Sequence, residues 1–289
     1  MSTEIKSALP IGIFDSGVGG LTVYRALHQR LPGEHFIYLG DTARVPYGTK
    51  SLETVERYAI ENSLFLYGLG IKMLVVACNT ASALALPKIR ELIGLDVIGV
   101  IGPGSRLAAR LTTDLQSPRI GVIGTEATIA SGAYEEAIKR ANPKAEIMQI
   151  ACPLFVPLAE EGWTHEPETV SIAKRYLGEM ADWQPSAVVL GCTHYPILKD
   201  VIGEILGPKV TLVDSGQAAA EEVAELLDAR ELARAAESNG RELCDDLDHF
   251  YVTDAAGRFA RVAERFLGSP PKKLEAIDIE SVIKCFPQN

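Results

Sequence analysis

Residues 74–80 read Leu74-Val75-Val76-Ala77-Cys78-Asn79-Thr80, an apolar run that ends in a thiol followed by an amide and a hydroxyl. Residues 188–194 repeat this arrangement as Val188-Val189-Leu190-Gly191-Cys192-Thr193-His194. A continuous aliphatic run is typical of a strand buried on both faces of a parallel sheet. Because ligands bind beyond the carboxyl ends of such strands, both thiols are predicted to lie at a binding site.

The similarity between the two cysteine segments extends to their neighbours. Ile11-Gly12-Ile13-Phe14 is matched by Ile120-Gly121-Val122-Ile123, and Val97-Ile98-Gly99-Val100 by Val210-Thr211-Leu212-Val213. The offset is nearly constant, at about 110 residues, which indicates two homologous halves. Two similar thiols from two similar halves could contact one small molecule from opposite sides. Such a site suits the movement of a proton on and off a carbon from opposite faces.

Strand-like and helix-like segments alternate along both halves, which predicts an α/β fold with mostly parallel sheets. We expect two similar parallel-sheet α/β domains, related by internal duplication, with the active site in the cleft between them. The second domain is predicted at residues 100–208, and the first at residues 1–99 plus 209–289. The first is discontinuous because the strand-like Phe250–Thr253 and the amphipathic Phe259–Leu267 should pack back on it. The stretch from Gly268 is predicted to be a surface tail.

Composition narrows the class of protein. The chain has 289 residues, of which 47% are hydrophobic and 23% charged, with a net charge of −10. This balance is typical of a soluble globular protein and disfavours nucleic acid or an anionic membrane as partner. Five cysteines without a C-x-x-C pair favour free thiols in a reducing cytoplasm. No apolar run approaches the roughly 20 residues needed to span a bilayer.

Asp15-Ser16-Gly17-Val18-Gly19-Gly20 follows the first predicted strand and precedes a helix, as a phosphate-binding turn would. The dinucleotide fingerprint would need glycine at the position of Thr22, and the P-loop lysine is also absent. Two interpretations remain. Asp15 could be a functional carboxylate beside N–H groups that bind an anion, or it could cap an ordinary glycine turn.

Cys78 and Cys192 are predicted at strand-to-helix turns, where a helix N-terminus favours thiolate over thiol. The alternative is that each is a buried, inert cysteine. The polar residues that follow both argue against this alternative. Cys152, Cys244 and Cys285 are interpreted as structural.

His194 lies two residues after Cys192, but the other histidines form no cluster with the spacing of a zinc site. No metal is therefore expected, and His194 is interpreted as an acid/base partner of Cys192. Glu160 follows an apolar segment that is predicted to be a loop with two prolines, from which a carboxylate with a raised pKa could enter a site. It could equally be a solvated residue at a helix start. Pro46-Tyr47-Gly48 is either a turn with backbone donors or only a loop.

Five segments together resemble glutamate racemase of the aspartate/glutamate racemase superfamily, in order and in spacing. They are 15–21 (DSGVGGL), 45–48 (VPYG), 77–82 (ACNTAS), 152–160 (CPLFVPLAE) and 191–196 (GCTHYP). The resemblance runs from about Ile11 to Leu267. Ala159 departs from it, since a larger aliphatic residue is usual there, which affects packing and not chemistry.

The resemblance implies interconversion of L- and D-glutamate without a cofactor, supplying D-glutamate for peptidoglycan, by a cytoplasmic protein that is commonly a homodimer. It implies that Cys78 and Cys192 are the acid/base residues, with Asp15 beside Cys78, and His194 and Glu160 beside Cys192. The implied substrate-binding residues are Asp15, Ser16, Pro46, Tyr47, Gly48, Asn79, Thr80, Thr125, Thr193 and His194.

Three alternatives stay open. A racemase of the same superfamily could act on aspartate or a hydantoin. A hydrolase could use Cys192 with His194, which leaves Cys78 and the repeat unexplained. A non-catalytic amino-acid-binding protein would depend on neither thiol.

Overall fold

Ten strands form two parallel sheets in the computed structural model, which describes residues 3–234, 241–279 and 281. They are β1 (Ile11–Asp15), β2 (Phe36–Gly40), β3 (Met73–Val76), β4 (Asp96–Gly99), β5 (Arg119–Gly124), β6 (Glu146–Ala151), β7 (Ala187–Gly191), β8 (Thr211–Asp214), β9 (His249–Val252) and β10 (Leu274–Ala276). Cys285 lies outside the described residues.

The two sheets share one strand order. The first is β10-β9-β2-β1-β3-β4 and the second is β6-β5-β7-β8. The four strands β2-β1-β3-β4 therefore correspond to β6-β5-β7-β8, as the repeated sequence landmarks predict. The prediction of two similar parallel-sheet α/β units is confirmed.

Thirteen helices surround the sheets within the described residues. They are α1 (Thr3–Ser7), α2 (Leu21–Arg30), α3 (Leu52–Gly68), α4 (Asn79–Leu84), α5 (Leu86–Leu92), α6 (Ile101–Leu111), α7 (Glu126–Ala130), α8 (Ala133–Ala141), α9 (Phe155–Glu161), α10 (Pro167–Trp183), α11 (Lys199–Leu206), α12 (Ser215–Ala229) and α13 (Ala256–Leu267). Short 3₁₀ helices lie at Tyr47–Thr49 and Tyr195–Leu198. No helix of the described part is long and apolar enough to cross a membrane.

Side chains of the central strand β1 alternate between two hydrophobic clusters. Ile11 and Ile13 face one cluster, and Phe14 faces the other. The cluster around Ile11 also contains Val188 and Leu190 of β7, so apolar packing is continuous between the halves. This shared core fixes how the carboxyl ends of the two sheets approach each other.

Two segments differ from the sequence prediction. The expected surface tail after Gly268 contains β10, which pairs with β9 in parallel and forms the edge of the first sheet. The proline-containing segment before Glu160 forms α9 instead of a loop. Pro157 is the third residue of that helix, where its missing N–H costs no intrahelical hydrogen bond.

Sheet membership bears on the predicted domain boundaries. β8 pairs with β7, with Ala187 opposite Thr211 and Leu190 opposite Asp214. The chain thus leaves the second sheet after Asp214, beyond the boundary predicted at residue 208. β9 and β10 then join the first sheet. We propose a division at 1–99 plus 215–289 and 100–214.

Candidate active site

The residues that follow the strand ends of both sheets enclose a cavity of about 70 Å³. Its lining includes every predicted site residue except Asp15, which lies buried behind it. These lining residues are Ser16, Pro46, Tyr47, Gly48, Cys78, Asn79, Thr80, Thr125, Glu160, Cys192, Thr193 and His194. An outer, mainly apolar cavity of about 280 Å³ shares six lining residues with it, among them Val45 and Val156. The inner cavity therefore has an apolar approach.

A larger cavity, of about 580 Å³, lies elsewhere, against α2, α6 and α12. Arginines and glutamates line it, and some of them pair with each other, as Arg30 does with Glu221. None of the predicted site residues belongs to its described lining.

Cys78 caps the N-terminus of α4, and its Sγ is buried. The thiol donates to Ser16 Oγ at 3.4 Å and accepts from the Ala81 N–H at 3.5 Å. Burial, and then the negative charge of Asp15, raise the pKa of Cys78 to about 12, although the hydrogen bonds with Ser16 and Ala81 oppose this. The N–H group at the helix N-terminus does lower the pKa of Cys78, as expected, but desolvation outweighs the two weak hydrogen bonds to sulfur.

Asp15 ends β1 and is completely buried. Its Oδ2 accepts from the Gly17 N–H at 2.9 Å. Burial raises its pKa, while the charge of His194 and backbone N–H groups oppose the rise. A Cβ on Gly20 would lie 2.5 Å from Asp15 Cβ, so only glycine allows α2 to begin this close to the carboxylate.

Cys192 lies beside an imidazole and a carboxylate. Its Sγ is 3.8 Å from His194 Nδ1, and His194 Nε2 is 3.2 Å from Glu160 Oε1. Burial would lower the pKa of His194, but the hydrogen bonds and charges of Cys192 and Glu160 raise it to about 10. Burial would likewise raise the pKa of Glu160, yet His194 and Arg258 hold it below its usual value. The raised pKa predicted for Glu160 is therefore wrong, since two cations face this carboxylate.

The glycine turn after β1 meets the second half of the chain. A Cβ on Gly19 would lie 2.3 Å from Thr193 Oγ1 and 2.5 Å from His194 Nδ1. Thr22, the residue that breaks the dinucleotide fingerprint, donates from Oγ1 to the Thr193 carbonyl at 2.8 Å. Packing therefore explains the glycines of this turn without phosphate binding. Because Gly19 has no side chain, Thr193 and His194 can reach the cavity.

Hydroxyl groups join the halves on the Cys78 side. Thr80 Oγ1 lies 3.0 Å from Thr125 Oγ1 and 3.1 Å from Thr128 Oγ1. Asn79 Oδ1 accepts from the Tyr134 hydroxyl at 2.6 Å. Thr128 and Tyr134 were not predicted. Thr128 could have been found as the residue one helical turn after Thr125, whereas no local pattern marks Tyr134.

The hydroxyl of Tyr47 forms hydrogen bonds with two other side chains. It donates to Asp41 Oδ2 at 2.5 Å and accepts from Asn62 Nδ2 at 3.0 Å. Tyr47 therefore contributes its ring and its backbone to the cavity wall. A Cβ on Gly48 would lie 2.8 Å from Thr125 Cβ, so this loop also lies against the second half.

The arrangement offers two thiols, each with a different auxiliary group, and several neutral hydrogen-bond donors. Cys192, His194 and Glu160 alone could serve a thiol hydrolase. That chemistry needs no second thiol, yet Cys78 lines the same cavity. Transfer of a proton between two sides of a carbon uses both.

Comparisons with known proteins agree in one direction. The family described as Asp/Glu/Hydantoin racemase matches residues 11–223. A glutamate racemase from Geobacter metallireducens is 51% identical over 271 residues, which cover 94% of this chain and 97% of the relative. Its length and order of residues thus match almost throughout.

Solved structures with a similar fold include a glutamate racemase from Francisella tularensis subsp. tularensis SCHU S4 in complex with D-glutamate. It is 39% identical, has a TM-score of 0.85 and covers 95% of this chain and 99% of its own. A glutamate racemase isoform from Bacillus anthracis is 35% identical with a TM-score of 0.86, covering 93% of this chain and 97% of its own. Both halves of the chain take part in the match.

Proposed function

This chain belongs to the Asp/Glu/hydantoin racemase family, and we propose that it interconverts L- and D-glutamate by passing the α-proton between two cysteines. The observation that carries the proposal is that Cys78 and Cys192, which follow corresponding strands of the two halves, line one cavity. A one-thiol mechanism would leave one of them without a role.

The proposed reaction balances without a redox partner. The thiolate of one cysteine takes the α-proton, so that a C–H bond breaks and an S–H bond forms. The electron pair left on carbon takes a proton from the thiol of the other cysteine, on the opposite face. The product is the mirror image, and the two cysteines have exchanged protonation states.

The two thiols have different charged neighbours. With a pKa of about 12, Cys78 holds its proton at neutral pH. His194, whose pKa is about 10, is protonated and stabilises negative charge on Cys192 Sγ. For the enantiomer whose α-proton faces Cys192, Cys192 is the base and Cys78 is the acid, and for its mirror image the two roles are reversed.

The carbanion needs stabilisation through the α-carboxylate, which becomes enolate-like. None of the described lining residues is lysine or arginine, so apart from the His194 imidazolium the stabilisation comes from neutral dipoles. Ser16, Asn79, Thr80 and Thr193 offer hydroxyl and amide groups in the lining. Fixed dipoles in a site closed to water stabilise developing charge effectively. They also allow a chain of net charge −10 to bind an acidic substrate.

The cellular setting follows from the resemblance alone. We propose that the D-glutamate formed supplies peptidoglycan synthesis, and that the enzyme is a cytoplasmic homodimer that needs no cofactor. Sedimentation equilibrium would test the dimer. A requirement for external D-glutamate in cells depleted of the protein would test the role.

The direct test is incubation of pyridoxal-free protein with L-glutamate in D₂O. Circular dichroism follows the loss of optical activity, and proton NMR follows the α-position. We expect decay to zero rotation with deuterium at the α-carbon. Racemisation of aspartate and not glutamate would overturn the proposed substrate. Binding of glutamate without exchange of the α-proton would overturn the proposed catalytic activity.

A further inference from the structure

Helix α13 belongs to the first half of the chain, since it connects β9 and β10 of the first sheet, yet it contacts the Cys192 side of the cavity. The Phe266 ring packs edge-on against the His194 ring, with centroids 6.1 Å apart. Arg265 donates to the carbonyl of Glu160. Helix α13 thus borders the His194–Glu160 pair from across the cleft.

Arg258 of α13 makes the contact that bears on chemistry. Its Nη2 donates to Glu160 Oε2 at 2.9 Å, while the other carboxylate oxygen, Oε1, lies 3.2 Å from His194 Nε2. His194 Nδ1 in turn lies 3.8 Å from Cys192 Sγ. Because each oxygen of Glu160 has its own cationic partner, the carboxylate cannot rotate away from His194 without losing the contact with Arg258.

The ionisation of Glu160 supports this reading of the geometry. Burial would raise the pKa of Glu160, but the hydrogen bond to His194, the charge of His194 and the charge of Arg258 lower it. The carboxylate therefore stays charged at neutral pH and faces His194 as an anion.

We propose that Arg258 is a positioning residue for the reaction: by holding Glu160 from across the cleft, it fixes the His194 ring beside Cys192. This inference rests on the proposed racemisation. The first half of the chain, which carries Cys78, would then also help to orient the groups around Cys192 in the second half. Arg258 touches neither thiol, so its effect passes through Glu160 and His194.

The contact is suited to orientation more than to stability. The Arg258 side chain is 60% exposed, and an ion pair this exposed contributes little to folding. Loss of the guanidinium should therefore leave the melting temperature almost unchanged while Glu160 gains freedom to rotate. Displacement of a group next to the reacting atoms lowers rates more than stability.

The test uses Arg258→Gln, Arg258→Lys and the matched control Arg261→Gln. Arg261 lies one turn further along α13 and makes no hydrogen bond or ion pair within the described part of the chain. Steady-state rates are measured from both enantiomers, with and without deuterium at the α-carbon. Mirror-image substrates have an equilibrium constant of one, so kcat/KM must fall equally in both directions.

We expect Arg258→Gln to lower kcat/KM by on the order of tenfold. The deuterium isotope effect should grow for the enantiomer that Cys192 deprotonates, because removal of the proton by Cys192 becomes slower. It should shrink for the other enantiomer, where the slow step becomes donation by Cys192. Arg258→Lys should recover part of the activity, and Arg261→Gln should behave as wild type.

A double variant tests whether Arg258 acts through Glu160. In a Glu160→Gln background, Arg258→Gln should have little further effect, because the carboxylate through which it acts is gone. If the isotope effects of both enantiomers stay at their wild-type values or change in the same direction, or if Arg261→Gln loses as much activity, the positioning role is overturned while racemisation stays intact. Absence of glutamate racemisation in the wild-type protein would instead overturn the proposed function.

Discussion

Cys78 and Cys192 follow corresponding strands of the two sheets, β3 and β7, yet their surroundings carry opposite charge. Beside Cys78 lies the buried carboxylate of Asp15, and beside Cys192 lies the imidazole of His194. The carboxylate helps to raise the pKa of Cys78 to about 12, whereas the protonated imidazole stabilises a thiolate. The repeated fold places the thiols alike, and their neighbours make them different.

This difference separates what the fold supplies from what individual residues supply. Two equal thiols facing one carbon would share one proton with no preferred arrangement. A carboxylate beside Cys78 and an imidazolium beside Cys192 place opposite charges on the two sides of the cavity. Since the reaction runs both ways, each cysteine must still act as acid and as base, and the comparison can be tested from either side.

Replacement of either cysteine by serine should have the largest effect. A hydroxyl remains in place but is far less acidic than a thiol, so proton transfer on that side fails. We expect racemisation to fall by on the order of 10²–10⁴-fold in Cys78→Ser and in Cys192→Ser. Each variant should still exchange the α-proton of one enantiomer with D₂O at the surviving thiol, and the two variants should select opposite enantiomers. Retained racemisation in either would contradict the two-thiol mechanism.

The sequence was sufficient to predict the central strands of both sheets and the position of Cys78 and Cys192 at the ends of two of them. Each strand that precedes a cysteine is an unbroken aliphatic run, and only a strand buried on both faces requires that pattern. The polar residues that follow each cysteine could be assigned to the cavity because parallel strands end at one edge of a sheet. Twelve of the thirteen site residues that the resemblance to glutamate racemase implies line the cavity.

Charge effects and long-range contacts could not be predicted from the sequence. The pKa of Cys78 is raised because burial exceeds the effect of the helix N-terminus, and burial cannot be read from a local motif. Arg258 follows Glu160 by 98 positions, and Tyr134 follows Asn79 by 55. Contacts at such separations depend on how the two halves pack. The edge strand β10 was missed because its three residues, Leu274–Ala276, are too few to show the alternation that identifies a strand.

Asp15→Asn and His194→Asn test the opposite charges themselves. Each should lower kcat/KM by about 10- to 100-fold, equally from L- and D-glutamate. The loss of the Asp15 charge makes the Cys78 thiolate less basic, and the loss of the imidazole removes the partner of Cys192. The deuterium isotope effect should therefore rise for one enantiomer in Asp15→Asn and for the other in His194→Asn. If both variants shift it for the same enantiomer, the two sides are not chemically distinct.

Stability as a function of pH gives a smaller, equilibrium measure of the Cys192 side. The pKa of His194 is about 10 in the folded protein, above the ordinary value of 6.5. A raised pKa contributes stability that is complete below pH 6.5 and is lost as the pH rises through 10. We expect the free energy of unfolding of the wild type to fall by about 1–3 kcal/mol more than that of His194→Asn across this window. Parallel urea-unfolding curves at pH 6.5 and 10 would measure the difference; an equal decline in both proteins would show that His194 has no such partners.

Cys152 provides the smallest expected effect and the sharpest control. It also follows a strand of the second sheet, β6, and burial, followed by the charge of Cys192, raises its pKa to about 12. It does not line the inner cavity, and its thiol donates only to the Ile150 carbonyl, at 3.8 Å. Cys152→Ala should therefore change kcat/KM by less than about twofold and cost about 1 kcal/mol of stability from the small cavity left behind. The backbone there is held independently, since the Tyr195 hydroxyl donates to the Cys152 carbonyl at 2.9 Å. A large loss of activity in this variant would show that a buried thiol at a strand end affects catalysis even outside the cavity. Lining the cavity would then not distinguish Cys78 and Cys192 from Cys152.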